Sequence, residues 1–179
     1  IPVIFDPVGV GATPFRTGRA KDFIENVKVS IVRGNASEVH ALIGGEVKTR
    51  GVDSGDVNLS SKELAILSAQ RLNVIAVISG KRDYVSDGIE IIGIDNGDIW
   101  LTKITGTGCT TASLIACFAG VTNDYLLAAV AGMSTMSLAG ELAKKCLAVE
   151  DGLGTYRVKL MDELSLMNGE RWEAGVRLL

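Results

Sequence analysis

The chain has 179 residues, 47% of them apolar and 22% charged, with a net charge of −3. That is length enough for one domain burying roughly 70% of its unfolded surface. The composition excludes a disordered or fibrous chain, and the lack of basic excess argues against nucleic-acid or anionic-membrane partners.

Residues 1–5 read as a fully buried strand that runs at once into the turn chemistry of Asp6-Pro7-Val8-Gly9-Val10-Gly11. Residues 18–27 carry apolar Ala20, Phe23, Ile24 and Val27 at helical spacing. A short strand over 29–32 follows, then a loop at Arg33-Gly34-Asn35 and a helix over 36–43 stopped by Gly44-Gly45. Residues 44–59 are rich in Gly, Asp and Ser and read as a loop. Ser60-Ser61-Lys62-Glu63 is a capping box that opens a helix through Leu72.

Residues 74–78 form the next buried strand. Between 84 and 101, short β-like runs alternate with Asp87-Gly88 and Asn96-Gly97, both tight-turn dipeptides, which predicts an antiparallel edge to the sheet. The pattern then turns helical over 110–119, 124–147 and 155–167, while 172–179 carry too little pattern to assign. Strands alternating with helices predict a single α/β domain over residues 1–179, a mostly parallel sheet covered by helices.

The most apolar stretch, 125–142, is interrupted by Gly132, Ser134, Thr135, Ser137, Gly140 and Glu141, so no membrane span is expected. The start of the chain lacks a basic region, so no signal peptide is expected. Cys109, Cys117 and Cys146 match no zinc or disulfide framework and point to free thiols in the cytoplasm. Cys117 and Cys146, inside helical runs, read as small buried hydrophobes.

Ligands of such sheets sit at the carboxyl ends of the strands. Asp6 follows the first strand, Arg33, Asn35 and Glu38 the second, Ser79-Gly80 the third, and Thr105-Gly106-Thr107-Gly108-Cys109 the hairpin, so all four groups fall on one rim. The last of these lies between a strand and a helix. Its glycines and helix N-terminus suit a phosphoryl group; an ordinary tight turn whose glycines serve packing fits the same residues. It is neither a Walker A loop nor a dinucleotide fingerprint. Cys109 falls in the first helical turn, pointing toward the anion site. Asp6 and Glu38 are candidate ligands or water-mediated partners of Mg²⁺, against a first-turn helix acid as the plain reading of Glu38. Arg33 is a candidate phosphate clamp or a rim salt bridge. His40 is the only histidine, which disfavours a His-dependent hydrolase.

Asp6-Pro7-Val8-Gly9-Val10-Gly11-Ala12-Thr13-Pro14-Phe15-Arg16-Thr17, Arg33-Gly34-Asn35-Ala36-Ser37-Glu38 and Thr105-Gly106-Thr107-Gly108-Cys109, in this order, resemble the hydroxyethylthiazole kinase family. Arg50-Gly51-Val52-Asp53-Ser54 and Asp151-Gly152-Leu153-Gly154-Thr155-Tyr156 extend the resemblance. It implies a ribokinase-like fold and transfer of the ATP γ-phosphate to the primary hydroxyl of 4-methyl-5-(2-hydroxyethyl)thiazole in thiamine biosynthesis or salvage. It further implies that Arg33, Ser79 and Asn35 contact ATP and that Asp6 and Glu38 organise Mg²⁺ and phosphates. Gly106 would touch the thiazole alcohol, and Gly106, Thr107, Gly108 and Cys109 would form the anion hole. Cys109 stands where many ribokinase-like enzymes keep an aspartate.

Ser79 replaces a threonine and Leu153 a proline of the family pattern. Family members carry further βα units ahead of the first strand and resemble trimers with active sites between subunits. The resemblance therefore implies a C-terminal portion of a longer chain, such as a fungal fusion behind a thiamine-phosphate synthase domain. An assembly subunit that binds nucleotide without turnover is the rival expectation.

Overall fold

The computed structural model describes residues 1–44 and 59–179. Most of the loop expected over 44–59, including the Arg50–Ser54 motif, lies outside them. Five strands form one sheet in sequence order: β1 (Ile4–Phe5), β2 (Ile31–Asn35), β3 (Ile75–Ser79), β4 (Asp83–Ser86) and β5 (Ile91–Ile94). The first three run parallel and the last two are added antiparallel, so the sheet is evenly mixed, with the expected antiparallel side.

Alternation along the strands assigns the two faces. Val32 and Ile78 point into a core shared with α1 (Pro14–Asn26), α2 (Ala36–Leu42) and α3 (Ser61–Leu72). Their neighbours Ile31 and Val77, with Val85 and Ile94, face α4 (Thr107–Ala119) and α5 (Tyr125–Lys145). Helices on both faces make an α/β/α sandwich. A third cluster joins α5 to α6 (Leu153–Ser165), with Tyr156 fully buried against Trp100.

Local chemistry explains where the elements begin. Thr13 caps α1 with Pro14 at its first position, so the helix starts four residues before the apolar periodicity does; Phe15, in that first turn, is exposed. Ser60 and Glu63 form the reciprocal capping box expected from the sequence, and Asn35 with Glu38 forms a second one at α2.

The first strand is shorter and less buried than expected. Only Ile4 and Phe5 pair, both half-buried, and among the described residues β1 has β2 as its one neighbour. Arg33-Gly34-Asn35 is strand, not loop: the parallel ladder runs on through Asn35 opposite Ser79, and this overrides the local breakers. Gly88 has φ +96°, as a turn residue should, and closes the β4–β5 hairpin. Asn96-Gly97 makes no second hairpin. Residues 99–103 form a 3-10 helix capped by Asp98 instead, so the glycine-rich segment before α4 follows a 3-10 turn rather than a strand. The unassigned C-terminal segment contains α7 (Gly169–Gly175), and Leu178 then bridges antiparallel to Ile94 on the outer edge of β5.

Among the described residues α5 alone is long and apolar enough to cross a membrane, yet 72% of its most apolar window is buried inside the domain, which makes it a core helix. Its small residues let α4 approach. A β-carbon on Gly132 would lie 2.6 Å from the Ile115 backbone.

Candidate functional site

Strand alternation puts Arg33 on the same face as Ile31, toward α4. There its guanidinium lies directly against the first turn of α4: a β-carbon on Gly108 would sit 2.6 Å from Arg33 Nη1. Nη1 also donates to Asp6 Oδ2 at 3.4 Å and Nη2 to Ser79 Oγ at 3.1 Å. The ion pair is largely withdrawn from water, at 13% and 12% side-chain exposure.

Gly106 caps α4 with φ +100°, a left-handed conformation that favours glycine, and no side chain caps the helix. The amides of Thr107, Gly108 and Cys109 therefore have no partner within the helix. A guanidinium at the positive end of a helix is unfavourable by itself, and an anion placed there is attracted by both. Two buried atoms in this cluster lack a partner among the described residues, Arg33 Nε and Asp6 Oδ1. Buried polar groups are rarely left so, which points to a ligand group that satisfies them.

Asp6 leaves the end of β1 through a loop tied down by Glu38, whose Oε1 accepts from Gly9 N at 2.9 Å and Oε2 from Asn35 N at 3.0 Å. Burial pushes the Asp6 carboxyl up and Glu38 adds to the rise, while the Arg33 charge and hydrogen bond oppose it. Asn35 Oδ1 is occupied as a helix cap, accepting from Glu38 N and Ser37 Oγ. Thr107 Oγ donates to Leu101 O at 3.0 Å. Of the expected site residues, Asp6, Arg33, Ser79, Glu38 and Gly108 thus meet directly or through one neighbour. Cys109 is exposed and does not line the adjoining cavity. Cys117 and Cys146 are exposed as well, contrary to the buried-hydrophobe reading: Cys117 lies on an outward position of α4, and Cys146 is the cap residue just past the end of α5.

That cavity measures about 830 Å³, the size of small-molecule sites. Arg33, Asn35, Ser79 and Thr107 line it from the expected rim. Its remaining walls were not legible in the sequence: Lys81 and Asp83 after β3, residues 95–98 after β5, and Met133, Met136 and Ser137 of α5. Asp83 is buried; Oδ1 accepts from Gly80 N at 3.0 Å and Oδ2 from Ser137 Oγ at 2.8 Å. Burial pushes its carboxyl up to about 6, against those hydrogen bonds and the Arg33 charge. Its position after Ser79-Gly80 was the one available signal.

The sequence model of the hydroxyethylthiazole kinase family matches residues 1–170. The chain belongs to that family. A hydroxyethylthiazole kinase of Alkaliphilus oremlandii is 46% identical over 166 residues, covering 92% of this chain and 61% of its own length. One of Moorella thermoacetica is 41% identical over 178 residues, covering 99% and 66%. The structure of the hydroxyethylthiazole kinase protein of Pyrococcus horikoshii OT3 is similar at TM-score 0.84 and 31% identity, covering 99% of this chain and 65% of that one. A Staphylococcus aureus pyridoxal kinase shares the fold at TM-score 0.57 and 19% identity, covering 77% and 50%, in keeping with a ribokinase-like arrangement. The chain therefore spans 61% to 66% of the length of its hydroxyethylthiazole kinase relatives named above.

Proposed function

We propose that this chain carries the phosphoryl-transfer half of a hydroxyethylthiazole kinase. It transfers the γ-phosphoryl group of ATP to the primary hydroxyl of 4-methyl-5-(2-hydroxyethyl)thiazole in thiamine biosynthesis or salvage. The observation that carries this reading is the Arg33 guanidinium set against the uncapped first turn of α4, with Arg33 Nε and Asp6 Oδ1 left without partners among the described residues.

In the transfer, the substrate oxygen bonds to the γ-phosphorus as the bond to the β,γ-bridging oxygen breaks, and ADP leaves. Charge spreads over the three equatorial oxygens in a loose transition state, so orientation and charge stabilisation dominate over base strength. The amides of Thr107, Gly108 and Cys109 face that charge, and Arg33 adds a fixed cation held in place by Asp6 and Ser79. The hydroxyl proton passes to solvent or to a phosphate oxygen. Cys109 contributes its backbone amide, and its exposed thiol is not needed as a base.

No cluster of three His, Cys, Asp or Glu able to hold a metal occurs among the described residues. Mg²⁺ fits nonetheless, since it takes one or two carboxylates and completes its shell with phosphate oxygens and water. Asp6, with its unpartnered oxygen, and Glu38 would hold it, and it would neutralise phosphate charge. Gly106, at the mouth of the amide cluster, would contact the thiazole alcohol. Asn35 acts by capping α2 and shaping the cavity wall. Three free thiols suit the cytoplasm, and the family resemblance suits a trimer.

The test is ADP release from Mg-ATP with and without the thiazole alcohol. Alcohol-dependent ADP formation supports the reading. Nucleotide binding without turnover favours an assembly subunit instead, and no binding at all overturns both.

A further inference from the structure

Outside the reaction cluster, a polar network surrounds Glu141 on α5. Its carboxylate collects Gly97 N at 2.9 Å, Asn96 Nδ2 at 3.3 Å and Arg177 Nη1 at 3.1 Å, with Arg177 Nη2 as a fourth donor. Its side chain is only 12% exposed, so these bonds are sheltered from water. The same Arg177 Nη2 donates to Asp95 O at 2.6 Å. Asn96 is buried and reads the tail on both sides: Nδ2 donates to Gly175 O at 3.0 Å and Oδ1 accepts from Arg177 N at 2.7 Å. Two backbone bonds between Gly93 and Leu179 and one from Asp95 N to Arg177 O fasten residues 177–179 along β5.

All four residues from Asp95 to Asp98 line the cavity. They are loop, and Gly97 holds φ +131°, so their position is not fixed by a strand ladder. No described hydrogen bond runs from them to Asp6, Arg33 or residues 106–109. We propose that Glu141 and Arg177 are positioning residues of the nucleotide-side wall, and that the C-terminal tail sets nucleotide affinity by holding residues 95–98 against the cavity. This assignment rests on the nucleotide reading above. The wall combines backbone polar groups with Ile99, Leu101, Met133 and Met136, which suits a flat heteroaromatic base more than a phosphate. Loosening it weakens binding and leaves the reacting centre intact.

The test titrates Mg²⁺ with a non-hydrolysable ATP analogue into the wild-type chain, Glu141→Gln, Arg177→Ala, Arg177→Lys, the Glu141→Gln/Arg177→Ala double variant and, for comparison, Arg33→Ala. Hydrogen exchange at the Gly97 amide is followed in parallel, and near-ultraviolet circular dichroism confirms folding. Each Gln or Ala variant should bind about tenfold more weakly, the scale of one lost charge-assisted hydrogen bond. Arg177→Lys, the mildest change, should fall between wild type and Arg177→Ala because it keeps the charge without the fork. The double variant should bind no more weakly than either single one, because both act through one carboxylate, and Gly97 exchange should quicken in each. Unchanged affinity in folded variants overturns the assignment even if Gly97 exchange rises. A wild-type chain that binds no analogue overturns it together with the nucleotide reading, whereas binding lost only in Arg33→Ala overturns this assignment alone.

Discussion

Two polar clusters of this domain, around Arg33 and around Glu141, are built to opposite rules. Around Arg33, two buried atoms have no partner among the described residues and a cation faces the positive end of a helix. Around Glu141, every carboxylate lone pair has a donor, and the arginine that supplies two of them also reaches a backbone carbonyl. Folding alone favours the second arrangement. The first holds an unmet demand among the described residues, one that the proposed phosphate on Arg33 and cation on Asp6 would meet. Unsatisfied polar atoms thus mark off the proposed reaction cluster from the network proposed to support it.

The largest effect expected at the unsatisfied cluster is that of Arg33→Ala. It removes the cation and leaves Asp6 buried without its partner, so affinity for Mg-ATP should fall by at least about 100-fold, roughly 3 kcal/mol. Titration calorimetry checks this, and a loss under threefold would erase the distinction between the clusters. Gly108→Ala comes next. Its β-carbon displaces the Arg33 guanidinium without touching the core, so affinity should drop about tenfold while the thermal midpoint stays within about 3 °C of wild type.

Asp83 sharpens the comparison from the side of stability. Its carboxyl, raised by burial to about 6, binds a proton more tightly in the folded than in the unfolded chain. Its stabilising contribution is present in full below the unfolded value of 3.8 and is lost as pH rises through about 6. Relative to Asp83→Asn, wild type should therefore lose up to about 3 kcal/mol between pH 4 and pH 7. Urea unfolding of both proteins across that range measures the difference, and parallel curves would refute it. The smallest effect belongs to the exposed thiol. Cys109→Ala should change kcat by less than about tenfold, and a thousandfold loss would make the thiol a true base.

What the sequence made legible was local. The Ser60–Glu63 box and the Asp87-Gly88 turn involve partners a few residues apart, and both form as read. The rim was legible because α/β topology gathers strand ends whatever the details of pairing. Arg33-Gly34-Asn35 misled because its local breaker residues are outweighed by a ladder to residues about 45 positions away. Asn96-Gly97 looked like a hairpin, yet Asn96 is claimed by Gly175 and Arg177, across separations of 79 and 81 residues. Asp83 escaped notice because Ser137, the partner that holds it in the cavity wall, lies 54 residues on. No spacing rule reaches that far.

The central claim is that Arg33 and the first turn of α4 grip one anion, and NMR of the 179-residue chain tests it most directly. On titration with Mg-ATP, the Arg33 Nε–H signal and the amides of residues 106–109 should shift together with one binding constant. Shifts confined to other parts of the molecule, with these signals unmoved at saturation, would contradict the account.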